Sequence, residues 1–307
     1  MQITEKVIIV SNLNKKYKDF EAVKGISFEV NKGEVFGILG PNGAGKTTTL
    51  EIIEGLKKQT SGTIQVLGLD NLKSDKEIKK RIGVQLQSSE YLNYLTLGEQ
   101  IKLFGSLYGV KADPIATLKK VNLEDKVNNE VKELSGGQKQ RFTIATALVH
   151  TPEILFLDEP TTGLDPQARR DMWNLIKELN LQGITIVITT HYMEEAEYLC
   201  NRVAIMDSGK ILQLDSPQGL IQSLSKVYKL SFFVNKPLDK EFFNSFGTLK
   251  VYNEFPKIII ELENIELLPQ IIQKLKDQGI DYKFLNLKTA TLEDVYLHLT
   301  GREYQEQ

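Results

Sequence analysis

The sequence predicts an α/β protein: a mostly parallel sheet covered by helices, followed by a smaller α+β unit. Three observations carry this. Short apolar runs (Glu34–Leu39, Ile154–Leu157, Ile184–Thr189) read as buried central strands, because a strand covered on both faces has no polar side to show. Amphipathic helical stretches alternate with those runs, as a parallel sheet with helical crossovers requires. Past Asp215-Ser-Pro-Gln-Gly219 the character changes, and the last stretch, residues 223–307, carries no phosphate motif of its own.

The elements follow in order. Val7–Asn12 and Ile26–Val30 have strand spacing, with a basic turn, Asn14-Lys-Lys-Tyr17, expected between them. Glu34–Leu39 runs straight into Gly40-Pro-Asn-Gly-Ala-Gly-Lys46-Thr47. A helix is expected over Lys46–Leu56, from the spacing of Leu50, Ile53 and Leu56. Ile82–Leu86 reads as a further strand. Leu92–Val131 is mainly helical in pattern (Leu97, Ile101, Leu103, Leu107) and forms an insert spanning about residues 88–140. Gln138–Val149 is helix-forming, and Pro166–Asn180 places Met172, Leu175, Ile176 and Leu179 on one helical face. Asp207-Ser-Gly-Lys210 reads as a hairpin turn. Beyond the boundary at residues 222/223, strands are expected over Val227–Val234, Lys257–Leu262 and Ile280–Leu287. Helices are expected over Ile265–Gln278 and Leu292–Leu299.

Composition narrows the function. With 41% hydrophobic and 25% charged residues and a net charge of −2, the chain offers no broad electrostatic case for binding nucleic acid or an acidic membrane. One cysteine, Cys200, excludes an intrachain disulfide and a cysteine-rich zinc cluster, and is compatible with a reducing cytoplasm. No apolar run approaches the ~20 residues that cross a bilayer, and the start, Met-Gln-Ile-Thr-Glu-Lys, lacks a secretory signal. Direct membrane insertion is not expected. If the protein serves a membrane process, another subunit does the spanning.

The chemistry lies in three motifs. Strand, glycine loop and helix is the context a phosphate loop needs. Backbone N–H groups of Gly43, Ala44, Gly45, Lys46 and Thr47 are expected to wrap a phosphate, Lys46 to meet its charge, and the Thr47 hydroxyl to ligate Mg²⁺. Asp158 ends an apolar strand at the carboxyl edge of the sheet, where it can hold Mg²⁺, and Glu159 is next to orient and activate an attacking water. Ser135-Gly136-Gly137-Gln138 precedes a helix, so Ser135 is a plausible N-cap within a second anion site.

Together these motifs resemble the ATP-binding subunits of ABC transporters, over about the first 220 residues. The resemblance implies the phosphate-loop ABC cassette fold and an ATPase using ATP and Mg²⁺. Tyr17 falls where the family stacks a ring on adenine. Asn42 and Thr48 complete the Walker A loop, Leu134–Gln138 matches the signature, and Ile154–Glu159 matches Walker B. Asp165 lies in the D-loop, His191 is the switch histidine, and Gln87 is the Q-loop residue and a further Mg²⁺ ligand. Gln85 competes for the Q-loop role, and spacing favours Gln87. In the family two cassettes pack head to tail, each ATP lying between one Walker A loop and the other chain's signature. This chain carries one of each, which permits a homodimer and leaves a heterodimer open.

The tail Thr291–Gly301 resembles the ending of cassettes in the ABC-2 drug, lipid and polysaccharide export group. The resemblance implies a separate transmembrane permease as partner, coupled through Gln87 and Ser88–Tyr108. It also implies a cytoplasmic location, peripheral on the inner face of the membrane. The alternative is a soluble ABC ATPase outside transport, such as an iron–sulfur assembly type. The interval between Walker A and the signature holds neither sustained heptads nor cysteines, against a DNA-repair type.

Overall fold

The computed structural model describes residues 5–85, 91–92, 94–224, 228–244, 246 and 250–301. Contacts divide the chain into two compact units, one up to Pro217 and the other beginning at Gln218. Gln87 lies outside the described residues. No helix among the described residues is long and apolar enough to cross a membrane.

The first unit opens with β1 (Lys6–Tyr17) and β2 (Phe20–Asn31), an antiparallel hairpin. Asn14–Tyr17, expected as a turn, belongs to β1. The turn is Lys18-Asp19, with Lys18 at φ 49°, because Tyr17 pairs directly with Phe20 and leaves two residues to reverse the chain. Next come β3 (Val35–Leu39) and α1 (Lys46–Ile53), the helix ending a turn earlier than Leu56. Then follow β4 (Ser61–Val66), β5 (Leu69–Asp70), α2 (Asp75–Lys79) and β6 (Ile82–Gln85). The insert holds α3 (Leu97–Leu107), α4 (Pro114–Lys119), two short 3₁₀ turns and α5 (Gly136–Ala147). The unit closes with β7 (Ile154–Asp158), α6 (Pro166–Leu181), β8 (Thr185–Thr190), α7 (Met193–Leu199), β9 (Arg202–Asp207) and β10 (Lys210–Asp215).

Two sheets result. The outer one is antiparallel, in the order β2-β1-β4-β5. The central one runs β10-β9-β3-β8-β7-β6, parallel except for the β9–β10 hairpin. Every residue of β3, β7 and β8 is buried, which is why their sequences show no alternation. A shared core fills the space between the sheets, with Phe28 stacked on Phe36 at 5.2 Å between ring centroids. Each such buried ring or aliphatic chain contributes about 1.5–3 kcal/mol. In the central sheet Leu39 pairs with Thr190 and Asp158 with Thr189, so the ends of β3, β7 and β8 lie abreast. The loops leaving those ends meet on one edge, where α/β sheets place their ligands.

The second unit contains α8 (Pro217–Gln222), β11 (Tyr228–Val234), α9 (Lys240–Asn244), β12 (Lys250–Glu254), β13 (Lys257–Leu262), α10 (Leu267–Asp277), β14 (Tyr282–Thr289) and α11 (Leu292–Thr300). Its sheet is antiparallel throughout, in the order β12-β13-β11-β14. From β11 to β14 this is the β-α-β-β-α-β ferredoxin-like arrangement. Leu230, Phe232, Ile258 and Ile260 on one sheet face share a core with Phe242 of α9 and with Ile271 and Leu275 of α10.

Candidate active site

The loop between β3 and α1 takes its shape from its glycines. Gly43 and Gly45 have φ of 81° and 99°, in the region other residues avoid. A Cβ on Gly45 would also lie 2.5 Å from the Ala22 carbonyl oxygen, and one on Gly40 would lie 2.0 Å from that of Met206. Helix α1 starts at Lys46 without a side-chain cap and without an acidic residue in its first turn. Its leading N–H groups therefore face the loop with the positive end of the helix dipole, the arrangement that binds a phosphate. Asn42 and Gly43 are exposed at the rim, and Thr47 and Thr48 are half-buried at the helix start.

Lys46 is only 4% exposed, and its Nζ turns back across the loop. It donates to the Gly40 and Pro41 carbonyls at 2.9 and 3.2 Å and lies 3.1 Å from Glu159 Oε1. Glu159 is held on its other side by His191, with Nδ1 3.1 Å from Oε2, and by the Thr162 hydroxyl at 3.2 Å. Its φ of 48° is unusual for a side chain of that size. The backbone is fixed there by the Glu159 N–H, which donates to both the carbonyl and the hydroxyl of Thr189 at 3.1 Å. Burial alone would raise the Glu159 carboxyl. The Lys46 charge and hydrogen bond, joined by those of His191, outweigh it and hold the group below the usual carboxylate range. A carboxylate so held stays ionised near neutrality.

Asp158 has the opposite balance. Burial pushes its carboxyl up, hydrogen bonds from Thr189 and Thr47 oppose this, and the neighbouring Glu159 charge adds to the rise. The Thr47 hydroxyl lies 3.2 Å from Asp158 Oδ1, and the Thr189 hydroxyl bonds the same oxygen. Magnesium prefers hard oxygen ligands, and the Thr47 hydroxyl and Asp158 carboxylate, already in contact, fit that ion.

Ser135 caps α5, its hydroxyl accepting from the Gln138 N–H at 3.3 Å while Gln138 Oε1 accepts from the Ser135 N–H at 3.0 Å. The helix begins two residues earlier than expected, which puts Gly136 and Gly137 in its first turn. These residues line a cleft of about 500 Å³ with Arg141, Gly163, Leu164 and Asp165, and none of Lys46, Thr47, Asp158 and Glu159 lines it. Asp165 also caps α6, accepting from the N–H groups of Gln167 and Ala168. Tyr17, at the end of β1, is 39% exposed with Lys15 Nζ 4.7 Å from its ring centroid.

The structure thus gathers the expected residues into two groups, the phosphate loop with Asp158, Glu159 and His191, and the signature with Asp165. The family model for the ABC transporter matches residues 23–162. Over 300 residues the chain is 37% identical to a Nod factor export ATP-binding protein I of Burkholderia orbicola (strain AU 1054), covering 96% of this chain and 97% of the relative. The chain belongs to the ABC transporter family.

Other relatives of this ABC cassette share its length. The linearmycin resistance ATP-binding protein LnrL of Bacillus subtilis (strain 168) is 34% identical over 303 residues, 95% of this chain and 97% of that one. Among solved structures, a cassette of Clostridium perfringens, cbiO1, part of the ABC transporter complex cbiONQ, matches with TM-score 0.65 and 30% identity, over 70% of this chain and 90% of its own. A dimeric post-hydrolysis state of the cassette MJ0796, bound to ADP and Pi, matches with TM-score 0.62 and 29% identity, over 68% of this chain and 98% of its own. The protein is accordingly an ATP-binding ABC ATPase. Sequence reading did not find Thr189, which anchors both acidic residues, nor Thr162 and Glu195. The signal for Thr189 was a pair of hydroxyl residues, Thr189-Thr190, closing the strand after Ile186-Val-Ile188.

Proposed function

We propose that this ABC ATPase powers export through a separate transmembrane permease, and that its ATP sites form between two copies of the chain. The relatives named for Nod factor export and linearmycin resistance support the export reading, since they align along nearly the whole chain, including the second unit. That favours export over a soluble iron–sulfur assembly role. The protein then works in the cytoplasm at the inner face of the membrane, bound through its permease, with the unit that begins at Gln218 as a separate domain.

The observation that carries the catalytic reading is Glu159, ionised and held at 3.1 Å by both Lys46 and His191. ATP lies with its phosphates on the Gly43–Thr48 backbone and Asn42, and its adenine on Tyr17. Lys46 exchanges Glu159 for the terminal phosphates, which releases that carboxylate to take a proton from the attacking water while His191 keeps it aligned. Thr47, Asp158 and Gln87 would hold magnesium, which would supply neutralising charge to the phosphates. Ser135, Gly136, Gly137, Gln138 and Asp165 of one copy close on the nucleotide of the other, and loss of phosphate reopens the pair. The coupling surface to the permease comprises Gln87 and Ser88–Tyr108, where Tyr94 is 93% and Leu107 73% exposed.

The test is the size of purified Glu159→Gln protein by light scattering. ATP–Mg²⁺ is expected to convert monomer to dimer, with turnover nearly abolished. Binding of ATP without any change in size would overturn the homodimer, and wild-type turnover would remove Glu159 from the base role.

A further inference from the structure

Glu195 lies on α7, three residues beyond Tyr192 and outside every motif that touches nucleotide, yet its side chain has no exposed surface. Its Oε1 accepts a hydrogen bond from the Thr161 hydroxyl at 2.7 Å and from the Trp173 indole N–H at 2.9 Å. A buried carboxylate with no salt-bridge partner among the described residues is costly to keep, and an apolar side chain would fill the space as well. What the carboxylate alone provides is a common acceptor on α7 for donors from two other segments, the one after β7 and α6.

One of those donors sits next to a group that holds the catalytic carboxylate. Thr161 precedes Thr162, whose hydroxyl donates to Glu159 Oε2 at 3.2 Å. Resting on the active-site reading above, we propose that Glu195 is a positioning residue for ATP hydrolysis: by fixing Thr161 from behind, it sets the Thr162 contact that aims Glu159. Thr161 also begins the segment leading to Asp165, so the same acceptor ties α7, which follows His191, to the loop that lines the signature cleft. A loosened Glu159 contact misplaces the attacking water and leaves the phosphate loop untouched, so the effect falls on kcat and spares ATP binding.

The experiment measures kcat, KM for ATP and thermal midpoint on the full chain for Glu195→Gln, Thr161→Val and Thr161→Ser, beside Glu159→Gln. Glu195→Gln and Thr161→Val are expected to lower kcat about ten-fold or more with KM within about two-fold of the parent. Thr161→Ser, which keeps the hydroxyl, is expected to restore the parental rate. Combining Glu195→Gln with Thr161→Val is expected to lose little beyond either change alone, as for two ends of one interaction. If folded Glu195→Gln turns over at the parental rate while Glu159→Gln does not, Glu195 has no such role and the reading of Glu159 stands. If Glu159→Gln itself turns over normally, that reading falls first. Should Glu195→Gln fail to fold, the Thr161 pair decides: equal kcat in the Val and Ser variants overturns the assignment.

Discussion

Lys46 Nζ lies 3.1 Å from Glu159 Oε1, so the cation of the phosphate loop and the carboxylate beyond β7 are each other's buried partner. Lys46→Met should therefore act twice. ATP affinity should fall about 100-fold or more, as a point charge on the phosphates disappears. The orphaned Glu159 should also destabilise the fold by about 3 kcal/mol. Calorimetric ATP titration and denaturant unfolding of the same variant check both effects. Unchanged affinity would remove Lys46 from the phosphate site.

Thr189→Val should weaken the Mg²⁺ site proposed at Thr47 and Asp158. The Thr189 hydroxyl bonds Asp158 and accepts from the Glu159 N–H, which keeps the Thr189 carbonyl as a second acceptor. Without the hydroxyl, Asp158 loses a bond that favours its ionised form, and its carboxyl should climb further. We expect a Mg²⁺ requirement raised about ten-fold in the ATPase assay and a stability loss of about 1–2 kcal/mol.

Glu54 gives a pH dependence of stability. It follows α1 and is 2% exposed, and burial, followed by the charges of Asp158 and Glu51, pushes its carboxyl up to about 8. The folded state thus holds a proton that the unfolded chain releases from about pH 4.5, and stability falls as pH rises through that window toward 8. Glu54→Gln should remove this slope and add a few kcal/mol, roughly 3–5 at most, at pH 8. Thermal midpoints from pH 5 to 9 for both proteins would show it, and parallel curves would exclude it.

Two glycines should separate structure from activity. Gly45→Ala forces a side chain into φ 99° and against the Ala22 carbonyl, so both folding and ATP binding should suffer, by about 2 kcal/mol or more in stability. A Cβ on Gly136 would meet nothing within 4 Å, and the residue sits in the first turn of α5. Gly136→Ala should keep the thermal midpoint, yet slow turnover if its backbone must approach the partner's nucleotide.

The catalytic edge was readable in the sequence because each of its parts obeys a local rule. Strands β3, β7 and β8 are apolar runs since both their faces are covered, and the loop glycines answer to backbone geometry. Edge elements left weaker traces. Strand β4 mixes Gly62, Thr63 and Gln65 among its apolar residues, and β12 is an exposed edge strand with a largely polar surface, so neither shows a clean period. The choice between Gln85 and Gln87 rested on spacing: Gln85 ends β6 and is 1% exposed. Glu195 was hidden for a different reason. In Met193-Glu-Glu-Ala-Glu it reads as one charge of a solvated helix face, and only the approach of α6 and the segment after β7 makes it interior.

The chain contains one tryptophan, and its indole N–H ends on the Glu195 carboxylate. Trp173 is thereby a single tryptophan reporter behind the catalytic centre, packed also against Tyr198 at 5.1 Å between ring centroids. Any rearrangement of the switch segment that disturbs this bond would register in the ultraviolet emission of the unlabelled protein, during turnover and in real time.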